Sequence, residues 1–392
     1  MPGNTFVTAV DPPIPATHSS LDYFQPSNIL VDLQRGIPEE VFTITSPDGP
    51  VLEFEFQGPK TEIGGSVLDL RNTFLKLEVQ MKFVGQTKGD PKEKVVPSFA
   101  NNLMHSLFHN LEVLVNGVTV STSNNLYPYK ALLEAELSHN KGCKDGWLRC
   151  QGYEYEMEPG DLDGASFTGR SKLASSLTGA GDIKGRWHYY GRLSDTFLCE
   201  TDNFLLPGVT VRIRLYRSPE QFVLIHGPGA EDSMGNFTLQ ITNATLHVQK
   251  IELKNETFLS IEKALLQKPA AFDFREVVPK SFLISDGVTL YFKDDLFNRA
   301  PISRLVLAMV SETSFSGSLD SNPFNFQQFD LETVRLYREG SLVGATPLSM
   351  NDNLVRAYYT TLKAIGFEDG AMELHYMNML ATCYFVYASN LL

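Results

Sequence analysis

LKLEVQMKF, Leu75 to Phe83, puts Leu75, Leu77, Val79, Met81 and Phe83 on one side of an extended chain and Lys76, Glu78, Gln80 and Lys82 on the other. A period of two belongs to a β-strand with one buried face, because a helix turning every 3.6 residues would scatter those apolar side chains around its circumference. The alternation recurs outward from this stretch. Leu52, Phe54 and Phe56 oppose Glu53 and Glu55, and Val209, Val211, Ile213 and Leu215 oppose Thr210, Arg212, Arg214 and Tyr216. Leu246 and Val248 continue it, but the phase slips by one before Ile251 and Leu253, which predicts a bulge near Gln249 or Lys250. Strands with one apolar face each need a second sheet to cover them, so the sequence predicts an all-β sandwich.

The stretch LEVLVNGVTV, Leu111 to Val120, sets Asn116-Gly117 between two β-branched runs. That dipeptide accepts the positive φ angles of a type I′ turn, so a hairpin is predicted there. Tyr129 to Ser138 (YKALLEAELS) has the composition of a short helix capping one end of a barrel. Residues 140–186 are rich in Gly, Asp and Ser and carry Glu154, Glu156, Glu158, Asp161 and Asp163, which predicts a long, solvated surface loop pointing outward as a tower. Residues 1–44 hold Pro2, Pro12, Pro13, Pro15, Pro26 and Pro38, and read as an extended N-terminal arm. A linker helix is predicted over 258–268, before Pro269. The domain plan is therefore an arm (1–44), a first β unit (45–257) with its loop at 140–186, the linker helix, and a second β unit (269–392).

Length supports two units, since 392 residues exceed one ordinary core. The longest apolar runs, Leu305 to Val310 and Cys383 to Ala388, are strand-sized and far short of a membrane span, and no secretory signal is visible at the N-terminus. Without such a signal, the sequons at Asn236, Asn243 and Asn255 are expected to stay unglycosylated. Cys143, Cys150, Cys199 and Cys383 are scattered without CxxC pairs, so reduced thiols are expected in place of a zinc ribbon or disulfide scaffold. A net charge of −13 argues against direct nucleic-acid binding, which needs a surplus of Lys and Arg.

The two halves echo each other. Leu111 to Val120 is matched by Glu332 to Val343 (ETVRLYREGSLV), with a turn near Glu339-Gly340, and Tyr127 to Leu133 is matched by Arg356 to Leu362 at a similar offset. His188-Tyr189, Leu193 and Leu205-Leu206 are matched by His375-Tyr376, Leu380 and Leu391-Leu392. Repeated order of elements marks duplicated architecture even where letters differ. In the first copy the matched leucines lead into further strands, whereas the second copy stops. The second unit is therefore expected to lack its last strands and to leave an unpaired edge.

On SLFHNLEVLVNG (Ser106–Gly117), NLYPYKALLEAELS (Asn125–Ser138), LLPGVTVRIRLYRSPEQF (Leu205–Phe222) and NPFNFQQFDLETVRLY (Asn322–Tyr337), in that order, the chain resembles the major capsid proteins of adintoviruses and the related Polinton (Maverick) elements. The resemblance covers most of the chain. It implies two tandem jelly rolls per chain, a double jelly roll, with three chains forming a pseudo-hexagonal capsomer of an icosahedral double-stranded DNA virus or virus-like transposable element. Its partners would be itself, neighbouring capsomers, and separate penton and minor capsid proteins. Its place would be the virion capsid, assembled inside the host cell, with nucleus or cytoplasm and any inner lipid layer left open. Members of the family continue into further strands beyond the point where this chain ends.

Chemistry was weighed against that structural reading. His105 and His109 would share a helix face as metal ligands, but on a strand they would stand about 13 Å apart. The carboxylates Glu154 to Asp163 lack the register of a calcium loop. Gly227-Pro228-Gly229 lacks the Lys-Ser/Thr end of a phosphate loop. Paired carboxylates on a β-sandwich leave a glycoside hydrolase as the enzyme alternative and a lectin-like carbohydrate-binding module as the binding alternative, although only Trp147 and Trp187 are present to line a sugar cleft. No catalytic, cofactor or metal residue is assigned, no cofactor is expected, and the chain is read as no enzyme.

Overall fold

A computed structural model describes residues 33–58, 60–61, 64–84, 97–156, 158–177, 186–201, 203–227, 236–272, 274, 276–297, 304–338, 340–342, 348–349, 359 and 385–388. The first half is built on eight strands: β1 (Leu33–Phe42), β2 (Val51–Gln57), β3 (Gly64–Val84), β4 (Phe108–Val115), β5 (Val118–Thr122), β6 (Arg186–Gly191), β7 (Thr210–Arg217) and β8 (Asn236–Leu253). One sheet runs β1-β8-β3, with β6 along the far side of β3; the other runs β2-β7-β4-β5, and every pairing is antiparallel. The chain changes sheet at almost every connection, which makes this an eight-stranded jelly roll.

The alternation in the sequence is the alternation in space. Leu52, Phe54, Leu75, Leu77, Val79, Val211, Ile213 and Leu215 are fully buried between the sheets, while their polar neighbours face outward. The hairpin turns where predicted, with Asn116 at φ 49° and Gly117 at φ 81°, the two positive angles of a type I′ turn. At the phase slip the register between β8 and β3 shifts between His247 and Gln249, with the extra residues, Leu70–Thr73, on β3 and not on β8, whose pairing with β1 runs unbroken there. Ile251 and Leu253 close a smaller core with Val67, Phe204 and Leu206.

Three expectations are corrected. Residues 33–42, assigned to the arm, form the outermost strand of the first sheet. Pro38 is tolerated there because β1 pairs on one side only, with β8, and a residue without an N–H is no loss on the open side. Residues 140–186 are no free tower. Beyond α1 (Tyr127–Ser138), which Pro128 opens, they include short helices at Lys141–Asp145 and Trp147–Gln151 and then α2 (Ala165–Leu177). They also bury Leu148, Tyr153 and Phe167 in the main core. Composition favoured a loop because Gly and Ser dominate, yet a few apolar residues in register suffice to fold the stretch onto the roll. The linker helix, α3 (Asn255–Leu265), starts three residues earlier than predicted, directly after β8. It is set against β3 by Phe258, whose ring lies so close over Gly65 that any Cβ there would collide with it.

The described part of the second half consists of short antiparallel ladders. β9 (Arg304–Leu307) pairs with β10 (Phe385–Ala388), so the two strand-sized apolar runs of the sequence meet each other. Tyr337–Arg338 pairs with Ser341–Leu342 around Gly340 at φ 79°, the hairpin expected from the repeat. Thr333–Val334 pairs with Leu348–Ser349. Most of the other matched residues, His375-Tyr376, Leu380 and Leu391-Leu392 among them, lie outside the described residues, as does the proposed short end of the second unit.

Candidate assembly site: the joint between the halves and the two outer walls

The first and second halves of the chain meet at a joint built of aromatic side chains. Tyr129, on α1, stacks on Phe315 at 5.4 Å between ring centroids and meets Phe222, Phe324 and Phe326 edge-on at 5.6 to 6.1 Å. Edge and offset contacts of this kind satisfy the ring quadrupoles as well as burying area. Phe324 and Phe326 come from the second half, are 1% and 2% exposed, and belong to the same core as the jelly roll; Val306, Ala308, Val310 and Leu319 pack onto it. The two halves thus share one hydrophobic interior.

Polar groups fix the register of this joint. Glu156 forms a buried ion pair with Arg170 of α2, whose Nε donates to the Phe99 carbonyl at 2.8 Å. Asn322 donates to the Pro159 carbonyl at 2.9 Å and approaches Glu156 Oε2 at 3.4 Å. His226 sits 3.3 Å from Asp320, Asn124 donates to the Pro279 carbonyl, and Phe197 packs edge-on against Phe274. The acidic stretch is therefore split by function: Glu158, Asp161 and Asp163 are solvated as expected, whereas Glu156 is interior.

The outer walls of the roll differ in chemistry. On the second sheet Arg212 bridges Glu53 and Glu55, Arg214 reaches Glu53 at 3.3 Å, and Tyr216 donates to Glu112, a self-satisfied polar ladder. On the first sheet, Phe42, Phe74, Tyr190 and His247 share the outward face, as their pairing register requires. Phe74 stacks on Tyr190 at 5.3 Å, the Arg192 guanidinium lies 5.4 Å from the centre of its ring, and Phe42 is 63% exposed. This wall carries an aromatic patch beside the outward Lys76, Glu78 and Gln80; the other offers charge that is already neutralised.

The residues weighed for chemistry fall into unrelated places. His105 lies in a one-turn helix, Leu103–Ser106, and His109 in β4, where its Nδ1 meets the Arg217 carbonyl at 2.7 Å. Among the described residues no group of three His, Cys, Asp or Glu could hold a metal ion. Cys143, Cys150 and Cys199 are free, and burial pushes the Cys199 thiol up to about 12, far from thiolate reactivity. Glu134 is also pushed up by burial, but it is occupied by Lys130 and by Ser194. No helix among the described residues is long and apolar enough to cross a membrane. The joint residues Phe315 and Arg170 carried no signal in the sequence; Tyr129, Phe222, Asn322, Phe324 and Phe326 were visible only as members of longer motifs, with nothing to say that they meet.

His105 is fully buried in a chain of hydrogen bonds. Ser194 N–H donates to Tyr127 Oη, Tyr127 bonds to His105 Nδ1 at 2.8 Å, and His105 Nε2 faces Gln151 Oε1 at 3.2 Å. A neutral ring protonated at Nε2 satisfies all three and leaves the Tyr127 hydroxyl its own donor role, toward Nδ1. Burial lowers its pKa from 6.5 to about 4, opposed by the Gln151 bond and assisted by Lys130. Between those values the unfolded chain holds a proton that the folded chain refuses, so this contribution to stability is intact above pH 6.5 and is lost as pH falls toward 4, up to about 3 kcal/mol. Urea midpoints measured from pH 7 to pH 4 should fall across that window, and His105→Gln should flatten this part of the fall; an unchanged profile in the variant refutes the assignment.

No protein-family model matches the chain. An uncharacterized protein of Caenorhabditis elegans is 22% identical over 331 residues, covering 80% of this chain and 74% of that protein. Among solved structures, the chain is similar to the capsid of the virus PBCV-1 (TM-score 0.45, 9% identity, covering 90% of this chain and 78% of that one) and to the Sputnik virophage structure (TM-score 0.37, 16% identity, 57% and 48%). It is also similar to the mavirus major capsid protein (TM-score 0.28, 9% identity, 69% and 49%). The match spans about half the length of the Sputnik and mavirus chains.

Proposed function

We propose that the chain is a structural subunit of a viral shell, a major capsid protein of the double jelly-roll type that catalyses nothing. The observation that carries this reading is the joint: a jelly roll whose interior is completed by phenylalanines from a second β unit forms one stiff block. Side walls of such blocks can then meet neighbours without an internal hinge. The unequal walls support a closed ring. The aromatic face of the first sheet is the surface for contact between copies, and the neutralised ladder of the second sheet is the surface left to solvent or to looser contacts. On this reading three chains close a pseudo-hexagonal capsomer, capsomers tile an icosahedral shell with separate penton and minor proteins, and the shell belongs to a double-stranded DNA virus or virus-like element related to adintoviruses and Polintons.

Light scattering on the purified chain should give a trimer, and negative-stain microscopy should show hexagonal plates or shells. Tyr190→Asp, on the aromatic wall, should shift the trimer to monomer while leaving the far-ultraviolet circular dichroism of the folded chain in place. A strictly monomeric parent chain at all concentrations defeats the proposal. Retention on immobilised sugars, or glycoside turnover lost with one carboxylate, would put a lectin or hydrolase in its place.

A further inference from the structure

We propose that Asn116 is a site of covalent self-modification: in the folded chain its carboxamide closes on the Gly117 amide to a succinimide, which water opens to an aspartyl or isoaspartyl residue. The inference is independent of the assembly reading above, because it needs only one folded chain.

The turn brings together the three groups this chemistry needs. The nucleophile is the Gly117 nitrogen. It lies at the exposed tip of the β4–β5 hairpin, its N–H is bonded to no group among the described residues, and a Cβ built on Gly117 would meet nothing within 4 Å, so no side chain crowds the attack. The electrophile is the Asn116 carboxamide. Its Oδ1 accepts the Thr210 N–H at 3.0 Å, while the Asn116 N–H donates to the Thr210 carbonyl at 2.9 Å. A fixed backbone donor therefore polarises the carbonyl and meets the negative charge that gathers on Oδ1 as nitrogen adds to Cγ. The leaving group is Nδ2, which is on an exposed residue and has no hydrogen-bond partner among the described residues. No other asparagine combines these features. Asn116-Gly117 is the single Asn-Gly pair of the sequence; Asn101, Asn102 and Asn110 are buried, and the exposed Asn124 and Asn125 precede residues with bulky side chains.

The steps balance with water as the one co-reactant. The Gly117 nitrogen gives its proton to water and bonds to Asn116 Cγ; the Cγ–Nδ2 bond then breaks and ammonia leaves carrying a proton. Water adds to either carbonyl of the ring. Opening the new C–N bond leaves an aspartate at 116, whereas opening the original peptide bond routes the backbone through the side chain and lengthens it by a methylene. That longer link cannot keep both bonds to Thr210, so the end of β4 loosens from β7.

The test uses the full folded chain and hydroxylamine, which captures a succinimide and cuts the chain at it. Under native conditions at neutral pH, fragments 1–116 and 117–392 are expected, and in oxygen-18 water without hydroxylamine the label should enter position 116. Asn116→Gln, whose ring would be one atom larger, should lose both signals. Thr210→Pro removes the polarising N–H at the first residue of β7, a place where proline is tolerated, and should slow cleavage by roughly tenfold. Cleavage seen only after unfolding in urea, label entering other asparagines in preference to position 116, or equal cleavage of the parent and Asn116→Gln overturns the proposal. Equal rates for the parent and a folded Thr210→Pro overturn it as well; if that variant does not fold, the comparison of native with unfolded parent chain decides.

Discussion

Phe324→Ala is expected to destabilise the chain by about 3–5 kcal/mol, the range for emptying a buried aromatic site that cannot collapse. The site is held from several directions. Tyr129 and Phe222 meet the Phe324 ring edge-on, and Phe326 meets Tyr129 beside it, so removal leaves a void between α1 and the second half. A surface phenylalanine of the same half, Phe292, is 71% exposed and should lose little on the same change. Differential scanning calorimetry of the two variants checks the contrast. Limited proteolysis adds the assembly consequence: with Phe324 gone, the second half should be released from the first and be cut before the roll unfolds. Equal melting of the two variants would show that the halves are not welded through this ring.

Arg170→Met is expected to be of similar size, about 3–5 kcal/mol, by a different route. The loss comes less from the ion pair itself than from Glu156, which is buried in the intact protein and would be left without its cation, with the Asn322 amide 3.4 Å away. The pair Arg170→Met with Glu156→Leu should therefore recover most of what the single change removes, since an apolar pair of similar volume avoids desolvating either charge. A double variant no better than the single one would mean that Arg170 acts through its bond to the Phe99 carbonyl instead. Chemical denaturation of the four proteins in the cycle separates the two outcomes.

Strands with one wet face were legible because burial imposes a period of two, and β2, β7 and the Leu75–Met81 stretch of β3 follow the letters residue by residue. The hairpin at Asn116-Gly117 was legible because few dipeptides tolerate both its angles. The joint was not, because its members are far apart in the chain: Tyr129, Phe222, Phe315 and Phe324 show no common spacing, and only the closure of the roll brings them together. Glu156 was misread among solvated acids for the same reason. Its partner Arg170 lies fourteen residues on, across a turn whose course depends on Tyr153 and Phe167 finding the core. The strand within the arm was hidden by Pro38, which forbids a central position and permits an outermost one.

That outermost strand has a consequence for how the protein is made. Leu33 pairs with Leu253, so β1 leaves the ribosome long before β8, its pairing partner among the described residues, exists. At about 5–20 residues per second the wait is on the order of ten to forty seconds. Through that interval the nascent segment must stay unattached to other chains on the same polysome, and Pro38, Glu39 and Glu40 at its middle are poor templates for a stray strand. The residues that suit β1 to the margin of the finished sheet are thus also ones that disfavour stray pairing during synthesis.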